Sequence, residues 1–383
     1  MKHSWSDLVV MAGLLAVLPG AAWGQSASLS GDASAVAPAP LRFGAVIEQS
    51  RRLVQADQIE RGYPGIAIAV SVDGETVWSE GFGYADLEHR VPMWPSVKFR
   101  VGSVSKSMTA AAVATLVEAG RLDLDVPIQR YVPSFPEKPH PITTRQLGGH
   151  LAGIRAYKGD ENFIRDPYPT VVAALEIFQD DPLLHAPGTA FSYTSYGFNL
   201  ISAVVEGASG QPFLDYMREA VLGPLGMRET LADFVIPIVP GRTSYYVRND
   251  AGQVVNAPFV NNSYKWAGGG FLSTTEDVLR FANAHLTGDY LSDSSQALLF
   301  TEQQTRDGQG VGYGFGWFIQ RDVAGRRLLS HSGGSVGGTS LMIMQPETRV
   351  VVVGLINLTR ANNGVVREVL RRFIDAASAT TVH

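Results

Sequence analysis

The stretch that most constrains the fold is residues 99–120, FRVGSVSKSMTAAAVATLVEAG, where a serine and a lysine lie one helical turn apart in an apolar sequence. Extended character gives way there to an alanine-rich run, which predicts a helix with Ser103 at or just inside its N-terminus and Gly120 closing its other end. Residues i and i+3 share a helix face, so the Lys106 amine can take the proton of the Ser103 hydroxyl. The helix has little polar face, which predicts burial and a lowered pKa of Lys106.

The first 24 residues have the pattern of a signal peptide. An apolar core over 8–18 follows a positive charge, and a small-x-small site, AWG, ends at Gly24. We therefore expect cleavage before Gln25 and a periplasmic or secreted protein, with residues 25–41 as a disordered leader. An uncleaved anchor is the alternative, although the apolar core is short for a membrane span.

Composition excludes several kinds of chemistry. The 383 residues contain no cysteine, which excludes disulfides, thiolate catalysis and Cys-ligated zinc. The eight histidines are not clustered and no HExxH motif occurs, so we expect no metal and no other cofactor. A net charge of -5 without runs of like charge does not indicate nucleic acid or an anionic membrane surface as a partner. The expected partner is a small-molecule or peptide substrate, and an oligomer is possible.

Strand patterns occur near both ends of the chain. A helix pattern over 43–61 is followed by period-two segments over 65–84 that turn at Asp73-Gly74, the sequence of a β-hairpin. Further strand patterns cover 317–330 and 340–358, and an amphipathic helix pattern covers 363–376. These patterns predict one antiparallel sheet assembled from both ends, flanked by helices.

The region between these strand patterns has helix patterns joined by proline-rich loops, with helices predicted over 170–180, 196–208 and 212–222. We therefore predict an α+β fold with a mainly helical insert. Its parts are an α/β sandwich domain over 42–121 and 263–378 and a mainly helical domain over 122–262.

Two later segments offer the other groups that acyl transfer needs. Tyr193 precedes a predicted helix, and its hydroxyl can exchange a proton with Lys106. The run His331-Ser332-Gly333-Gly334 follows a predicted strand, and its small residues let a substrate approach the backbone. The N–H groups of Ser103 and Gly334 are then candidate oxyanion donors. Taken singly, Tyr193 is better explained as a packed tyrosine and His331 as a surface histidine, but their order and context along the chain favour a site.

The quoted motifs and their neighbours carry a family resemblance. The segments are 99–138, 143–157, 191–210, 224–227, 261–284, 313–317 and 331–334. In this order they resemble the serine β-lactamase-like hydrolases of the class C, penicillin-binding and esterase type. The resemblance implies a β-lactamase/transpeptidase-like fold with the active site between two domains.

The resemblance also implies roles for particular residues. Ser103 is implied as the acylated nucleophile, Lys106 as its proton partner and Tyr193 as general base and acid. The family's Lys-Thr-Gly corresponds to His331-Ser332-Gly333, which we expect to contact substrate together with Ser195 and Gly334.

Two departures from the family pattern bear on the substrate. The usual Tyr-x-Asn is Tyr193-Thr194-Ser195, so an amide that could contact a substrate is missing. His331 replaces a lysine, and its charge is not permanent near neutral pH. A neutral imidazole holds the carboxylate of a β-lactam poorly, which favours an esterase or peptidase over an efficient β-lactamase.

A second serine motif, Gly333 to Gly337, matches the G-x-S-x-G of α/β-hydrolases. That motif needs a helix directly after the serine and a later histidine. A strand pattern follows instead, and the later histidine is the last residue, so Ser335 is not expected to be the nucleophile.

The expected function is that of an exported serine hydrolase that forms an acyl-enzyme on an amide or ester bond, with peptidase or esterase activity favoured. A β-lactamase or D,D-peptidase is the alternative. A penicillin-binding sensor or a filament-forming structural protein is the alternative of another class.

Overall fold

The computed structural model describes residues 41–379. The predicted signal peptide lies outside the described residues, and so does the predicted leader apart from Leu41, which begins a 3-10 helix over Leu41–Phe43. No helix within residues 41–379 is long and apolar enough to span a membrane.

The helices and strands of this part of the chain are numbered in sequence order. The α-helices are α1 (Gly44–Glu60), α2 (Val104–Glu118), α3 (Thr144–Gly148), α4 (Ser195–Ser209), α5 (Phe213–Met217), α6 (Trp266–Gly269), α7 (Thr275–Thr287), α8 (Asp293–Phe300) and α9 (Gly364–Ala379). The strands are β1 (Gly65–Val72), β2 (Glu75–Asp86), β3 (Val91–Pro92), β4 (Phe99–Arg100), β5 (Leu231–Ala232), β6 (Tyr246–Arg248), β7 (Val254–Asn256), β8 (Phe271–Ser273), β9 (Phe318–Arg321), β10 (Arg327–Ser335), β11 (Gly338–Gln345) and β12 (Val350–Ile356).

An antiparallel sheet in the order β3-β2-β1-β12-β11-β10-β9 forms the centre of the described residues. The chain turns at Asp73-Gly74 between β1 and β2, where the sequence predicts a hairpin. Strand β12 pairs directly with β1, so strands from the two ends of the chain meet in the middle of the sheet. A small sheet, β4-β8-β5, leads into α2. The predicted α+β fold is therefore confirmed.

The two faces of the central sheet carry side chains of different size. On β1, Ile66, Ile68 and Val70 pack in one hydrophobic cluster with residues of α1 and α9. The alternate residues Ala67 and Ala69 belong to a second cluster, which includes residues of α2 and α7. Because successive side chains of a strand point to opposite faces, this alternation separates the two helix layers.

Helix α2 is buried inside the second of these clusters. Helices α4, α6 and α8 pack around it, and its alanine-rich sequence lets them approach on every side. Its polar side chains find partners in neighbouring segments: Ser107 Oγ donates to the Gly316 carbonyl at 2.7 Å, and Thr109 Oγ1 donates to the Ala267 carbonyl at 3.1 Å. The predicted burial of this helix is observed.

The region 122–262 differs in part from its predicted helices. The helix expected over 196–208 is α4, but that expected over 212–222 is divided between α5 and a π-helical turn over Arg218–Leu222. Residues 170–180 form only a 3-10 helix over Ala173–Ile177, and the Ile177 carbonyl accepts a hydrogen bond from the Arg155 side chain. One hydrophobic cluster includes residues of both predicted domains, and the division into two domains stays a prediction.

The strand predicted over 317–330 also differs from the structure. It is divided into β9 and β10, and β10 continues to Ser335. The run 331–334 therefore lies within a strand rather than after it. A tight turn to β11 follows Ser335, with no helix, which removes the G-x-S-x-G interpretation.

A buried ion pair connects the small sheet to its surroundings. The side chains of Arg100 and Asp233 are 7% and 2% exposed, and Arg100 Nε lies 2.7 Å from Asp233 Oδ2. Arg100 also donates to the Val336 carbonyl at 2.8 Å, and Asn262 Nδ2 donates to Asp233 Oδ2 at 2.8 Å. This network joins β4, the residue after β5 and the β10–β11 turn.

Substitution Asp233→Ala is expected to lower the free energy of unfolding by about 3–5 kcal/mol, because it leaves the Arg100 charge buried and unpaired. Urea denaturation measures this loss. The matched control is Asp125→Ala, which removes the exposed partner of Arg145 and should cost less than about 1 kcal/mol. Equal, small losses in both variants would contradict this account of the network.

Candidate active site

The Gly102–Ser103 turn sits between β4 and α2, against the hairpin of β10 and β11. Gly102 has φ +50°, and a Cβ atom there would lie 2.8 Å from the Gly334 nitrogen. Ser340 Oγ on β11 donates to the Val101 carbonyl at 2.7 Å. Glycine is therefore required at 102 both for the left-handed backbone and for the close approach of β10. Ser103 is the N-cap residue of α2, as its sequence predicts.

Lys106 is fully buried beneath Ser103. Its Nζ lies 2.9 Å from Ser103 Oγ, 3.0 Å from Ser195 Oγ and 2.5 Å from the carbonyl oxygen of Gly268. Burial lowers the pKa of Lys106 well below its usual value, and the positive charge of Lys265 lowers it further. Burial without a carboxylate partner favours the neutral amine over the ammonium.

The hydrogen bonds of a neutral Lys106 have a definite direction. The Gly268 carbonyl can only accept, so one amine N–H is donated there. The amine keeps one further N–H and one lone pair for the hydroxyls of Ser103 and Ser195. When the Ser195 hydroxyl accepts the second N–H, the lone pair faces the Ser103 O–H and can take its proton.

Tyr193 lies on the other side of this group. The Lys106 Nζ is 5.1 Å from the centre of its ring, which stacks on Phe318 at 6.1 Å. Burial raises the pKa of Tyr193, and a hydrogen bond with the Ser103 hydroxyl lowers it by a smaller amount. The tyrosine is therefore a neutral phenol, which can donate a proton to a leaving group.

His150 supports the loop that carries Tyr193. Its ring lies 4.2 Å from that of Tyr193, and its Nδ1 accepts a hydrogen bond from the Thr194 N–H at 3.2 Å. Thr194 also caps α4, because its Oγ1 accepts from the Tyr196 N–H at 3.1 Å. The tyrosine is thus held between a histidine and the start of a helix.

The candidate oxyanion donors lie close together. A Cβ atom at Gly333 would be 3.0 Å from the Ser103 nitrogen and 2.0 Å from the Val101 oxygen, so β10 packs directly against the start of α2. Within residues 41–379 no acceptor is found for the Ser103 N–H. A Cβ atom at Gly334 would meet no other atom within 4 Å. Ser103 and Gly334 both line an open cleft, from which a substrate carbonyl can approach their N–H groups.

The imidazole of His331 is turned away from this space and is fully buried. Its Nδ1 donates to the Ser332 carbonyl at 2.7 Å, and its Nε2 lies 2.9 Å from the Tyr313 hydroxyl, from which it accepts. Burial is the main cause that lowers the pKa of His331 to about 3, and any positive charge on Lys106 acts in the same direction. The histidine is therefore uncharged, and its ring is used in hydrogen bonds inside the protein. This differs from the expectation that His331 contacts the substrate in place of the lysine of the family's Lys-Thr-Gly motif.

A cleft of about 700 Å³ opens beside Ser103. Of the residues expected to bind substrate, Ser195 and Gly334 line this cleft, whereas His331, Ser332 and Gly333 do not. The lining residues are Ser103, Tyr157, Asn162, Phe163, Ser195, Val247, Arg248, Pro258, Lys265, Gly268, Gly269, Gly334, Ser335, Val336, Thr359 and Arg360.

Sequence reasoning missed Tyr157, Lys265 and Arg360 as cleft residues. One signal was available for Lys265, since it is an isolated charge in the apolar, glycine-rich run SYKWAGGG. Nothing in the sequence distinguishes Tyr157 or Arg360. Within residues 41–379 no three histidine, aspartate or glutamate side chains come together in a way that could hold a metal ion.

The fold and this geometry define a class of protein, the serine hydrolases of β-lactamase/transpeptidase-like fold with a Ser-x-x-Lys pair at the start of a buried helix. The family model described as beta-lactamase matches residues 50–376. The chain belongs to the beta-lactamase family, and it is a serine hydrolase by this membership.

Relatives and solved structures agree with this assignment. The human mitochondrial serine beta-lactamase-like protein LACTB is 35% identical over 400 residues, covering 80% of this chain and 73% of the relative. Penicillin-binding protein 4* of Bacillus subtilis is 27% identical, covering 74% of this chain and 66% of the relative. The octameric penicillin-binding protein homologue from Pyrococcus abyssi superposes with a TM-score of 0.75 at 27% identity, covering 86% and 77% of the two chains. The resemblance and fold predicted from the sequence are confirmed.

The packing of β10 on α2 leads to a prediction about two adjacent glycines. Gly333→Ala is expected to reduce the free energy of unfolding by about 1–3 kcal/mol, because its methyl group would overlap the Val101 carbonyl. Gly334→Ala should cost less, since its methyl group would point into open space. Urea denaturation of both variants tests this, and a larger loss for Gly334→Ala would contradict the placement of the strand.

The lowered pKa of Lys106 leads to a prediction about pH. The neutral amine is the proton acceptor, so the rate of Ser103 phosphonylation by a fluorophosphonate should reach its plateau well below pH 10.5, the usual lysine value. The rate should fall as acid protonates the amine. Rapid-quench labelling across the pH range measures this dependence.

The matched variant is Lys106→Met, which has a side chain of similar length and no base. Its labelling rate should be lower by about 10²–10⁴-fold, the usual contribution of a general base, and should not follow the same pH curve. A wild-type profile with its midpoint at the usual lysine value would show that Lys106 is not the neutral base.

Proposed function

We propose that this protein is an exported serine hydrolase that forms an acyl-enzyme at Ser103 on an amide or ester bond. Peptides and small esters are its proposed substrates. The observation that carries the proposal is the 2.9 Å contact between Lys106 Nζ and Ser103 Oγ. Burial and the charge of Lys265 both lower the pKa of Lys106, and no negative charge among the described residues opposes them. The neutral amine is therefore favoured, and it can act as a base toward the serine.

In the proposed acylation step, Ser103 Oγ attacks the substrate carbonyl carbon while its proton passes to Lys106 Nζ. The carbonyl oxygen becomes an oxyanion and accepts hydrogen bonds from the N–H groups of Ser103 and Gly334. The positive end of the α2 dipole lies at the same point and favours this negative charge.

Collapse of the tetrahedral intermediate breaks the bond to the leaving nitrogen or oxygen. Tyr193, a neutral phenol, donates its proton to that atom and recovers a proton from the Lys106 ammonium. Water then attacks the ester carbonyl of the acyl-enzyme, loses a proton to the same pair of groups and releases the acid. The cycle restores the neutral amine and the Ser103 hydroxyl.

The state of His331 supports peptides and esters over β-lactams. A buried, neutral imidazole with both nitrogens bonded inside the protein does not provide a cation for a β-lactam carboxylate. A β-lactamase or D,D-peptidase is the alternative within the same chemistry, and penicillin-binding protein 4* is a relative whose name records penicillin binding.

Export and assembly are parts of the proposal that depend on other observations. The signal-peptide pattern of the first 24 residues supports a periplasmic or secreted location. A penicillin-binding sensor or a filament-forming protein is the alternative of another class. The Pyrococcus abyssi homologue is octameric, which supports self-association of this chain, and light scattering can measure it.

Intact-mass spectrometry tests the function. Wild type and Ser103→Ala are treated separately with a fluorophosphonate and with penicillin. We expect a mass increase by one phosphonyl group in wild type and none in the variant, because the activated hydroxyl is the group that reacts. The same spectra report whether residues 1–24 have been removed from protein made in an exporting host.

The outcomes separate the alternatives. A penicillin adduct that persists would favour a sensor, and rapid turnover of penicillin would favour a β-lactamase. No adduct with either reagent, in a sample whose circular dichroism shows a folded protein, would refute the hydrolase and leave the structural role as the better hypothesis.

A further inference from the structure

The cleft beside Ser103 is lined by positive charge. Three of its lining residues are cationic, Arg248, Lys265 and Arg360, and no aspartate or glutamate is among the described residues that line it. The chain as a whole has a net charge of -5. A cleft lined by cationic side chains in a protein of negative net charge favours the binding of a negatively charged ligand.

Lys265 is the innermost of these cations. Its side chain belongs to a residue that is 6% exposed, and its Nζ lies 5.1 Å from the ring centre of Tyr264 and 5.8 Å from that of Tyr157. The aromatic faces favour a positive charge there but leave the ammonium N–H groups without an acceptor. In the described part of the chain, Lys265 Nζ has no hydrogen-bond or ion-pair partner.

The negative charge of Asp233 acts on Lys265 but faces other cations. Asp233 raises the pKa of Lys265 through its charge, without a hydrogen bond to it. Its Oδ2 is bonded to Arg100 at 2.7 Å and to Asn262 at 2.8 Å, and its Oδ1 lies 3.9 Å from Arg242. A nearly buried ammonium without an acceptor is costly. An acceptor supplied from the cleft would remove this cost.

The other two cations differ in their availability. The Arg248 guanidinium donates to the carbonyls of Arg61, Gly62 and Gly252. Arg360 is exposed and has a left-handed backbone, φ 53°, and within residues 41–379 its side chain has no polar partner. Lys265 near the reacting centre and Arg360 at the rim are thus the cations left for a ligand.

We propose that Lys265 binds a carboxylate of the substrate whose carbonyl Ser103 attacks, with Arg360 attracting the same anion at the rim. The inference rests on the proposed function and names its substrate class, acyl compounds that carry a free carboxylate. The single ammonium of Lys265, which has no partner among the described residues, suits a ligand group with one negative charge. Peptides contain amide bonds and carry this charge as a carboxylate. Lys265 is thereby a specificity-determining residue.

The electrostatics of Lys265 agree with this role. Burial and the Arg100 charge lower the pKa of Lys265 to about 7, against the opposing effect of Asp233. A carboxylate bound beside the amine would favour its charged form. The rival explanation is that Lys265 acts only on Lys106, whose pKa its charge lowers, and this predicts no discrimination between charged and neutral substrates.

The test compares ligands that differ in one charge. The probes are the p-nitroanilides of succinate, glutarate and adipate, each with a free carboxylate, and the same three compounds with a primary amide in its place. Their affinities are measured by calorimetry near pH 6.5 in the Ser103→Ala background, in which they cannot be cleaved. We expect at least one carboxylate to bind about tenfold or more tightly than its amide, as for a new charge-assisted contact.

The variants assign this preference to a residue. Lys265→Met should remove the preference by weakening the binding of the carboxylate ligands and not that of the amides. Lys265→Arg should retain most of the preference because the positive charge remains. The matched control is Arg52→Met, which removes one positive charge from the exposed side of α1, on the far side of the sheet, and should leave the preference unchanged.

Each result has a definite meaning. Equal affinity of carboxylates and amides for the parent protein would overturn the proposal without any Lys265 variant. An equal loss of affinity for carboxylate and amide ligands in Lys265→Met would also overturn the proposal. Fluorophosphonate labelling of Ser103 in the wild type is measured separately. Selective binding of carboxylates without labelling would support the anion site and refute the hydrolase. Labelling without selective binding would support the hydrolase and refute the anion site.

Discussion

The geometry of this site depends on one buried amine. Lys106 is held by contacts with groups from α2, α4 and α6, three segments that are far apart in sequence. They can meet only because α2 is alanine-rich and lies inside the second hydrophobic cluster. Among the described residues no carboxylate contacts the amine, and burial favours its neutral form. Burial therefore supplies both the position of the group and its neutral, proton-accepting form.

Burial also separates the proton roles of Lys106 and Tyr193. A low dielectric disfavours the charged form of each group, so it lowers the pKa of the amine and raises that of the phenol. The resting pair is a neutral amine and a neutral phenol. The amine can then accept the Ser103 proton and the phenol can donate to a leaving group, without any prior transfer between them. The family resemblance implied that Tyr193 is both base and acid, and the environment of this chain favours the acid.

Local sequence rules predicted those parts of the structure that neighbouring residues determine. The i, i+3 spacing of Ser103 and Lys106, the Asp73-Gly74 hairpin and the buried strand over 350–356 follow from periodicity and turn chemistry. The sequence could not predict what depends on distant partners. The orientation of His331 depends on Tyr313, eighteen residues away in sequence. The surroundings of Lys265 include Asp233, more than thirty residues before it, whose Oδ2 is bonded to Arg100 and Asn262. The Ile177 carbonyl, at the end of the short helix over 173–177, likewise accepts a hydrogen bond from Arg155, which lies outside the window in which a helix pattern is read.

The neutrality of His331 and the exposure of Lys265 to the cleft are physically connected. Charges on Lys106, His331 and Lys265 would repel one another in a region where burial already disfavours each of them, and a positive charge on Lys106 would lower the pKa of His331 further. A neutral, internally bonded imidazole removes one of these charges. The site can then hold a cation at Lys265, where two aromatic faces stabilise it and where its field helps to keep Lys106 neutral. Under the proposal, Lys265 recognises the substrate anion and Lys106 transfers the proton, so the two roles belong to different lysines.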